Sequence, residues 1–216
     1  MATSKLITLA DPRSAAAEAF RSLRTNLIFS GVESGLQTLL VTSAATGEGK
    51  SLALANLAVT FAQAGQKTVL VDADMRRPQQ HDIWGLQNRG LTAMMLEDAA
   101  LATPPLLDSG VDNLKILPAG DDAPNPADLL SSKRMNEIIG VLKARANYVL
   151  FDGPPVLAAT DAALLASKLD GVLLIVRSGR SRRDNVIQAR EALEQVQARI
   201  VGAVLTNAPR ENHSGY

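Results

Sequence analysis

An α/β fold, with a mostly parallel central sheet covered by helices on both faces, is predicted by three features of the sequence. Short apolar, β-branched runs alternate with longer stretches of helical periodicity, the pattern of a sheet buried on both sides. A glycine-containing turn, SAATGEGKS at residues 43–51, joins the first of these runs to an apolar helix. Several runs end on a polar residue, at Asp72, Asp152 and Asn207. Right-handed crossovers place such strand tips on one edge of the sheet, where open α/β folds bind ligands. At 216 residues the chain suits one domain, 1–216, with an N-terminal helical segment over 1–35 and a short tail over 208–216.

The elements follow in order. Asp11-Pro12 reads as a helix start, the carboxylate capping free N–H groups and proline taking the first helical position, with the helix running to about Phe29. Glu18, Arg21 and Arg24 recur at intervals of three on one side of it, while Phe20, Leu23, Leu27 and Ile28 form an apolar stripe. On the residues alone, the charged side reads rather as a solvated face. A loop at Gly31 to Gly35 precedes a strand at Leu39 to Thr42.

In the turn that follows, Gly47 and Gly49 lack a Cβ, so backbone N–H groups and a helix N-terminus can approach a polyphosphate closely. Lys50 is then placed against the β- and γ-phosphates, and the Ser51 hydroxyl against a magnesium ion bridging them. The candidate nucleotide contacts are Thr46, Gly47, Glu48, Gly49, Lys50, Ser51 and Leu52. The strict pattern G-x-x-x-x-G-K-[ST] has Ala44 in its first place.

The helix from Leu52 to Phe61 ends at Gly65, and Lys67 to Asp72 forms a second strand running into DADMRRP. Asp72 and Asp74 alternate at its carboxyl end, Arg76 and Arg77 add positive charge, and Pro78 stops the strand. Residues 79–125 are less regular, with a helix near Leu91 to Glu97, a break at Pro104-Pro105 and a strand at Leu114 to Leu117. Trp84, Met94, Met95 and Met135 read as packing residues.

Asn125-Pro126 opens a helix over Ala127 to Leu130 that leads on to Met135 to Leu142. Tyr148 to Phe151 is a buried strand tipped by Asp152, which suits the metal shell of a phosphate loop. Thr160-Asp161 caps the next helix, Gly171 to Arg177 is a strand, and Ser181 to Asp184 reads as a capping box for a helix to about Ala198. Ile200 to Thr206 is the last strand. Asn207 at its tip suits either a base edge or a turn.

Composition excludes several classes. There is no cysteine, so disulfides and thiolate metal sites are ruled out, and the two histidines make no metal site. Lysine plus arginine balances aspartate plus glutamate at 22 each, and there are only four Phe, two Tyr and one Trp, so neither an overall field nor a stacking platform points to nucleic acid. The first residues lack the apolar core of a leader, and no segment reaches the ~18 uninterrupted apolar residues of a membrane span. A cytoplasmic location is expected.

On these residues the chain resembles the bacterial tyrosine kinases of capsule and exopolysaccharide synthesis, a branch of the deviant P-loop NTPase fold. SAATGEGKS is similar to their Walker A motif, VLVDADMRRP to their second aspartate motif and YVLFDGPP to their Walker B. EAFRSLRTNL, at residues 18–27, resembles their E-x-x-R-x-x-R oligomerisation motif, which implies contacts between subunits for Glu18, Arg21 and Arg24. Further similarity lies in NLKILPAGDDAPNPADLLSS, DGVLLIVRSG and GAVLTN.

The resemblance implies ATP and Mg²⁺, with transfer of the γ-phosphoryl group to a tyrosine of a neighbouring subunit in a ring. Lys50, Asp72 and Asp74 are then catalytic, with Asp72 receiving the tyrosine proton, and Ser51, Asp72 and Asp152 form the metal shell. The clustered tyrosines usual in the family's tail are represented here by Tyr216 alone, the candidate phosphoacceptor. A membrane-spanning polysaccharide chain-length regulator is the implied partner, which would hold the chain peripherally at the inner face of the cell membrane. Two other readings stay open on sequence: a nucleotide-switched assembly module with little kinase activity, and a partition-type ATPase. Against the latter, Ala44-Ala45-Thr46 has no early lysine, and no nucleic-acid partner is expected.

Overall fold

The computed structural model describes residues 6–31 and 35–208. Its centre is a seven-stranded sheet of β1 (Thr38–Ser43), β2 (Thr68–Asp72), β3 (Leu107–Asp108), β4 (Leu114–Leu117), β5 (Tyr148–Asp152), β6 (Gly171–Arg177) and β7 (Ile200–Thr206), in the order β3-β4-β2-β5-β1-β6-β7. All neighbours are parallel except the two-residue β3, which runs antiparallel to β4. The expected sheet is therefore present, with one short edge strand that no apolar run announced.

Side chains alternate between the faces, and each face has its own core. Leu39, Val41, Leu70, Leu150, Leu173 and Ile175 pack with α1 (Ile7–Ala10), α2 (Ala15–Gly31), α3 (Lys50–Gln63) and α4 (Gln80–Trp84). Leu40, Val69, Val71, Val149, Phe151 and Val172 point the other way. They meet α5 (Leu91–Leu96), α7 (Pro126–Ser131), α8 (Lys133–Lys143), α9 (Asp161–Ala166) and α10 (Arg183–Gln195), with α6 (Asp98–Ala102) at the margin. Strands β1 and β2 are buried at every position and β5 at all but Tyr148, which fits their unbroken apolar runs. Trp84, Met94, Met95 and Met135 are all core residues, as expected.

Several local expectations are corrected. The second helix begins at Ala15, not at Pro12, because α1 precedes it and Ser14 is the cap: its Oγ accepts from the Ala17 N–H at 3.2 Å and donates to the Asp11 carbonyl at 2.8 Å. Strand β2 stops at Asp72, six residues before Pro78, since the Asp72 carboxylate itself turns the chain by accepting the N–H groups of Asp74, Gln79 and Gln80. Thr160 makes no side-chain cap, and Asp161 is instead taken by Arg76. No capping box opens α10, because the Ser181 hydroxyl is engaged with Glu48. Helix α3 starts at Lys50, two residues earlier than its apolar pattern, so Lys50 and Ser51 lie in its first turn.

The first helices are tied down from within. Leu6 is fully buried, and Thr8 donates both its N–H and its hydroxyl to Asn56 Oδ1 of α3, at 3.1 and 3.0 Å. Asn56 Nδ2 in turn donates to the Leu52 carbonyl at 2.9 Å.

Candidate active site

Strand β1 delivers the chain into the phosphate loop, and two glycines give that loop its path. Gly47 has φ +75° and Gly49, the residue before α3, has φ +85°, both left-handed conformations that disfavour side chains. A Cβ on Gly47 would also lie 2.6 Å from Arg180 Nη2. Glu48 braces the loop from inside: its carboxylate accepts from the Ala45 N–H at 3.1 Å and from the Ser181 hydroxyl, and it is almost fully buried. Arg177 donates to the Gly47 carbonyl at 3.1 Å. Glu48 is thus a residue that shapes the loop, and Arg177 a loop contact that no motif signalled.

Beneath the loop, Lys50, Ser51, Asp72, Asp74 and Asp152 converge as expected from their places at strand and helix ends. Lys50 Nζ lies 2.9 Å from Asp74 Oδ2, 3.2 Å from Asp152 Oδ1 and 3.3 Å from the Ser51 hydroxyl. Burial disfavours its charge, but Asp152 and Asp74 outweigh burial and hold its pKa above the ordinary lysine value. Asp72 and Asp152 stand side by side in the paired register of β2 and β5.

Burial first, then the charge of Asp152, push the Asp72 carboxyl up to about 8 against the opposing hydrogen bonds from Gln80 and Gln79 and the charge of Lys50. Three backbone N–H groups occupy its oxygens, two at 2.8 Å on Oδ2 and one at 3.2 Å on Oδ1. A carboxylate has about four acceptor positions, so one on Oδ1 remains.

Gln80 is the main residue missed by sequence reasoning. Fully buried on a five-residue helix, it donates from Nε2 to Asp152 Oδ2 at 2.7 Å and to the Ser51 carbonyl at 3.1 Å, while its Oε1 accepts from Trp84 Nε1 at 3.1 Å. A glutamine four residues before a tryptophan carries no signal by itself. Arg76 is not free to meet phosphate: its guanidinium grips Asp161 at 2.8 and 3.1 Å, leaving Arg77 as the arginine of this turn that faces the cavity.

A cavity of about 430 Å³ opens over the site, lined by Thr46, Gly47, Lys50, Ser51, Asp74 and Arg77 among others. A second, of about 300 Å³, adjoins it along Gly49, Leu52, Asn56, Arg177 and Asn207. Asn207 has φ +55° and is exposed at the tip of β7, so it serves as a turn residue and also faces this second recess. A larger hollow of about 740 Å³ lies at the opposite ends of the strands, beside Gln37, Lys67 and Tyr148, away from the phosphate loop.

Among the described residues, no group of three or more histidine, cysteine or acidic side chains is placed to hold a metal alone. The oxygen donors present, a serine hydroxyl and one or two carboxylates beside a phosphate loop, are the set that magnesium takes when phosphate and water complete its shell. The crowding of Asp72 against Asp152 fits a site with room for additional positive charge.

The three residues expected at a contact between subunits divide. Glu18 and Arg21 pair with each other on the exposed side of α2 at 2.7 Å, and Arg21 also donates to the Pro12 carbonyl. Arg24 turns inward to the Thr60 carbonyl of α3 at 2.9 Å. Tyr216 lies outside the described residues.

Comparison with known proteins agrees with this geometry. The family described as CobQ/CobB/MinD/ParA nucleotide binding domain matches residues 39–215. The tyrosine-protein kinase YwqD of Bacillus subtilis (strain 168) is 38% identical over 212 residues, covering 98% of this chain and 89% of that protein. The kinase domain of the Escherichia coli tyrosine kinase ETK superposes with a TM-score of 0.90 at 30% identity, over 98% of this chain and 83% of that one. The chimerical protein CapA2B2 superposes with a TM-score of 0.89 at 36% identity, over 96% and 91%.

Proposed function

Because the chain belongs to the CobQ/CobB/MinD/ParA nucleotide-binding family and, within it, to the bacterial tyrosine kinases, we propose that the edge built by Lys50, Ser51, Asp72, Asp74 and Asp152 carries the phosphoryl transfer. The activity is that of a protein-tyrosine kinase. The observation that carries the residue assignment is the contact of Lys50 with both Asp74 and Asp152 directly under the phosphate loop.

ATP is the proposed phosphoryl donor, its phosphates held by the backbone of residues 46–51 and its base directed toward Leu52 and Asn207. Lys50 leaves its carboxylate partners for the phosphates and stabilises the charge on the transferring group. Asp72 is oriented by three backbone N–H groups and keeps one acceptor position on Oδ1, the position from which it would take the tyrosine proton. Asp74, which lines the cavity, supports that transfer. Ser51 and Asp152, with Asp72 beside them, would hold Mg²⁺, which would supply charge neutralisation at the phosphates. Gln80 fixes Asp152 in position.

In this reading the chain works as one kinase unit that phosphorylates a tyrosine of a neighbouring copy, Tyr216 being the acceptor at hand, and assembles through Glu18 and Arg21. A membrane-spanning polysaccharide chain-length regulator is the proposed partner, placing the kinase at the inner face of the membrane and linking it to capsule or exopolysaccharide export. No helix among the described residues is long and apolar enough to cross a membrane.

Incubation of the purified chain with Mg·ATP, followed by intact-mass analysis and phosphate mapping, tests the assignment. Phosphotyrosine in the wild type and none in Lys50→Met is expected. Equal phosphotyrosine in both would overturn the role of Lys50, and none in the wild type would overturn autophosphorylation.

A further inference from the structure

The segment joining β6 to α10 carries four arginines within seven residues, Arg177, Arg180, Arg182 and Arg183, in a chain whose net formal charge is zero. Among the described residues none of the four has a carboxylate partner within ion-pair distance, although arginines elsewhere, at 21, 76, 89, 134 and 190, do. Unpaired guanidinium groups repel one another, so a cluster held together without counter-charges is best explained by a ligand that brings them.

The cluster is fastened to the phosphate loop. Arg177 bonds the Gly47 carbonyl, Arg180 lies over Gly47, and the Ser181 hydroxyl both donates to Glu48 and accepts from the Arg177 N–H at 2.7 Å. Those contacts account for Arg177 and Arg180 within the loop itself. They leave Arg182 and Arg183 unexplained, both exposed and one or two residues beyond Ser181, whose hydroxyl is bonded to the phosphate loop. Arg77 adds a further cation from the other wall of the cavity.

We propose that Arg182 and Arg183 form a docking site for the acidic residues flanking an acceptor tyrosine in a second protein. This rests on the kinase reading and adds a substrate class to it. Any acceptor must bring its hydroxyl to the phosphate cavity, and the two arginines follow directly on Ser181, which is bonded to Glu48 of the loop beside that cavity. Negative flanking residues would neutralise them; positive ones would be repelled. Arg210 and Glu211 offset each other, so residues 210–216 do not supply the acidic flank that two arginines call for. The occupant proposed is a second protein whose acceptor tyrosine is flanked by acidic residues.

The test uses the full chain and the double variants R182A/R183A and R182E/R183E. Acceptors are a synthetic Glu-Tyr copolymer and a neutral alanine-rich tyrosine peptide. A fluorescein-labelled Glu-Phe peptide reports docking without chemistry.

For R182A/R183A the expected result is a KM for the acidic copolymer raised roughly five- to tenfold, as two exposed charges warrant, with kcat, ATP affinity and the KM for the neutral peptide unchanged. The Glu-Phe peptide should lose affinity by the same factor, and R182E/R183E should favour a Lys-Tyr copolymer. An unchanged KM, an equal loss on acidic and neutral acceptors, or a loss that follows a changed oligomeric state would overturn docking at these arginines. So would binding of single-stranded DNA in preference to the acidic peptide. If the Glu-Phe peptide binds in an arginine-dependent way while no acceptor is phosphorylated, docking stands and the kinase assignment fails.

Discussion

Gln80 is where a single side chain holds the most. Truncation by Gln80→Ala leaves Asp152 Oδ2, the Ser51 carbonyl and Trp84 Nε1 without their partner in a fully buried place, at a cost of about 2–4 kcal/mol. Thermal unfolding should show it as a lowered Tm, with magnesium-dependent ATP affinity falling at the same time; an unchanged Tm would show that water replaces the amide. Gly47→Ala meets two obstacles, a left-handed φ and the Arg180 guanidinium, and should cost about 1–2 kcal/mol while weakening ATP binding. Lys50, Ser51, Asp72 and Asp152 were all legible in the sequence because each sits at a fixed offset from an apolar run. Gln80 was not, since nothing in its neighbours distinguishes it from a surface residue, and Arg177, although it ends the apolar run of β6, gave no sign of its bond to the Gly47 carbonyl.

At the level of elements, β1 is held in place at its start by Asp170, which accepts the N–H groups of Gln37 and Thr38 at 3.0 and 2.7 Å and lies 3.6 Å from Lys143. Burial alone would raise this carboxyl, but the hydrogen bonds from Thr38 and Gln37 and the lysine charge prevail and keep it below the usual carboxylate range. A carboxylate depressed in the folded state contributes stability above its unfolded pKa and loses it as pH falls through the folded value. Asp170→Ala should therefore destabilise the fold at pH 7 by about 1–2 kcal/mol, a modest figure because the site is partly solvated, and the gap between variant and wild type should close on acidification below about pH 4. Denaturant titrations at pH 7 and pH 3 measure this; a constant gap would assign the effect to packing. The long strands were readable from their apolar runs alone. Helices α1, α4 and α6 and strand β3 were not, because each is too short to show a period and is fixed by tertiary contacts.

For the molecule as a whole, nucleotide binding and folding are linked, since the loop that receives phosphate exists only in the folded chain. ATP at a hundredfold excess over its Kd adds about 2.7 kcal/mol, which for a chain of this size raises Tm by roughly 5–10 °C. Lys50→Met should lose most of that rise, and a full rise in the variant would remove the lysine from the binding site. The parallel order of the sheet was predictable from alternation, and so was the gathering of strand tips along one edge. The strand order itself, with β5 between β2 and β1, was not, because no local pattern states which strands become neighbours.

One link described above bears on force. Thr8 of α1 is bonded to Asn56, and Asn56 to the carbonyl of Leu52, the residue next to Ser51. A tension applied to the start of the chain would load those bonds before it reached the sheet, and would be felt first by the helix that carries the phosphate-binding lysine. Through those bonds a load at Thr8 and the grip on a phosphate would both bear on α3.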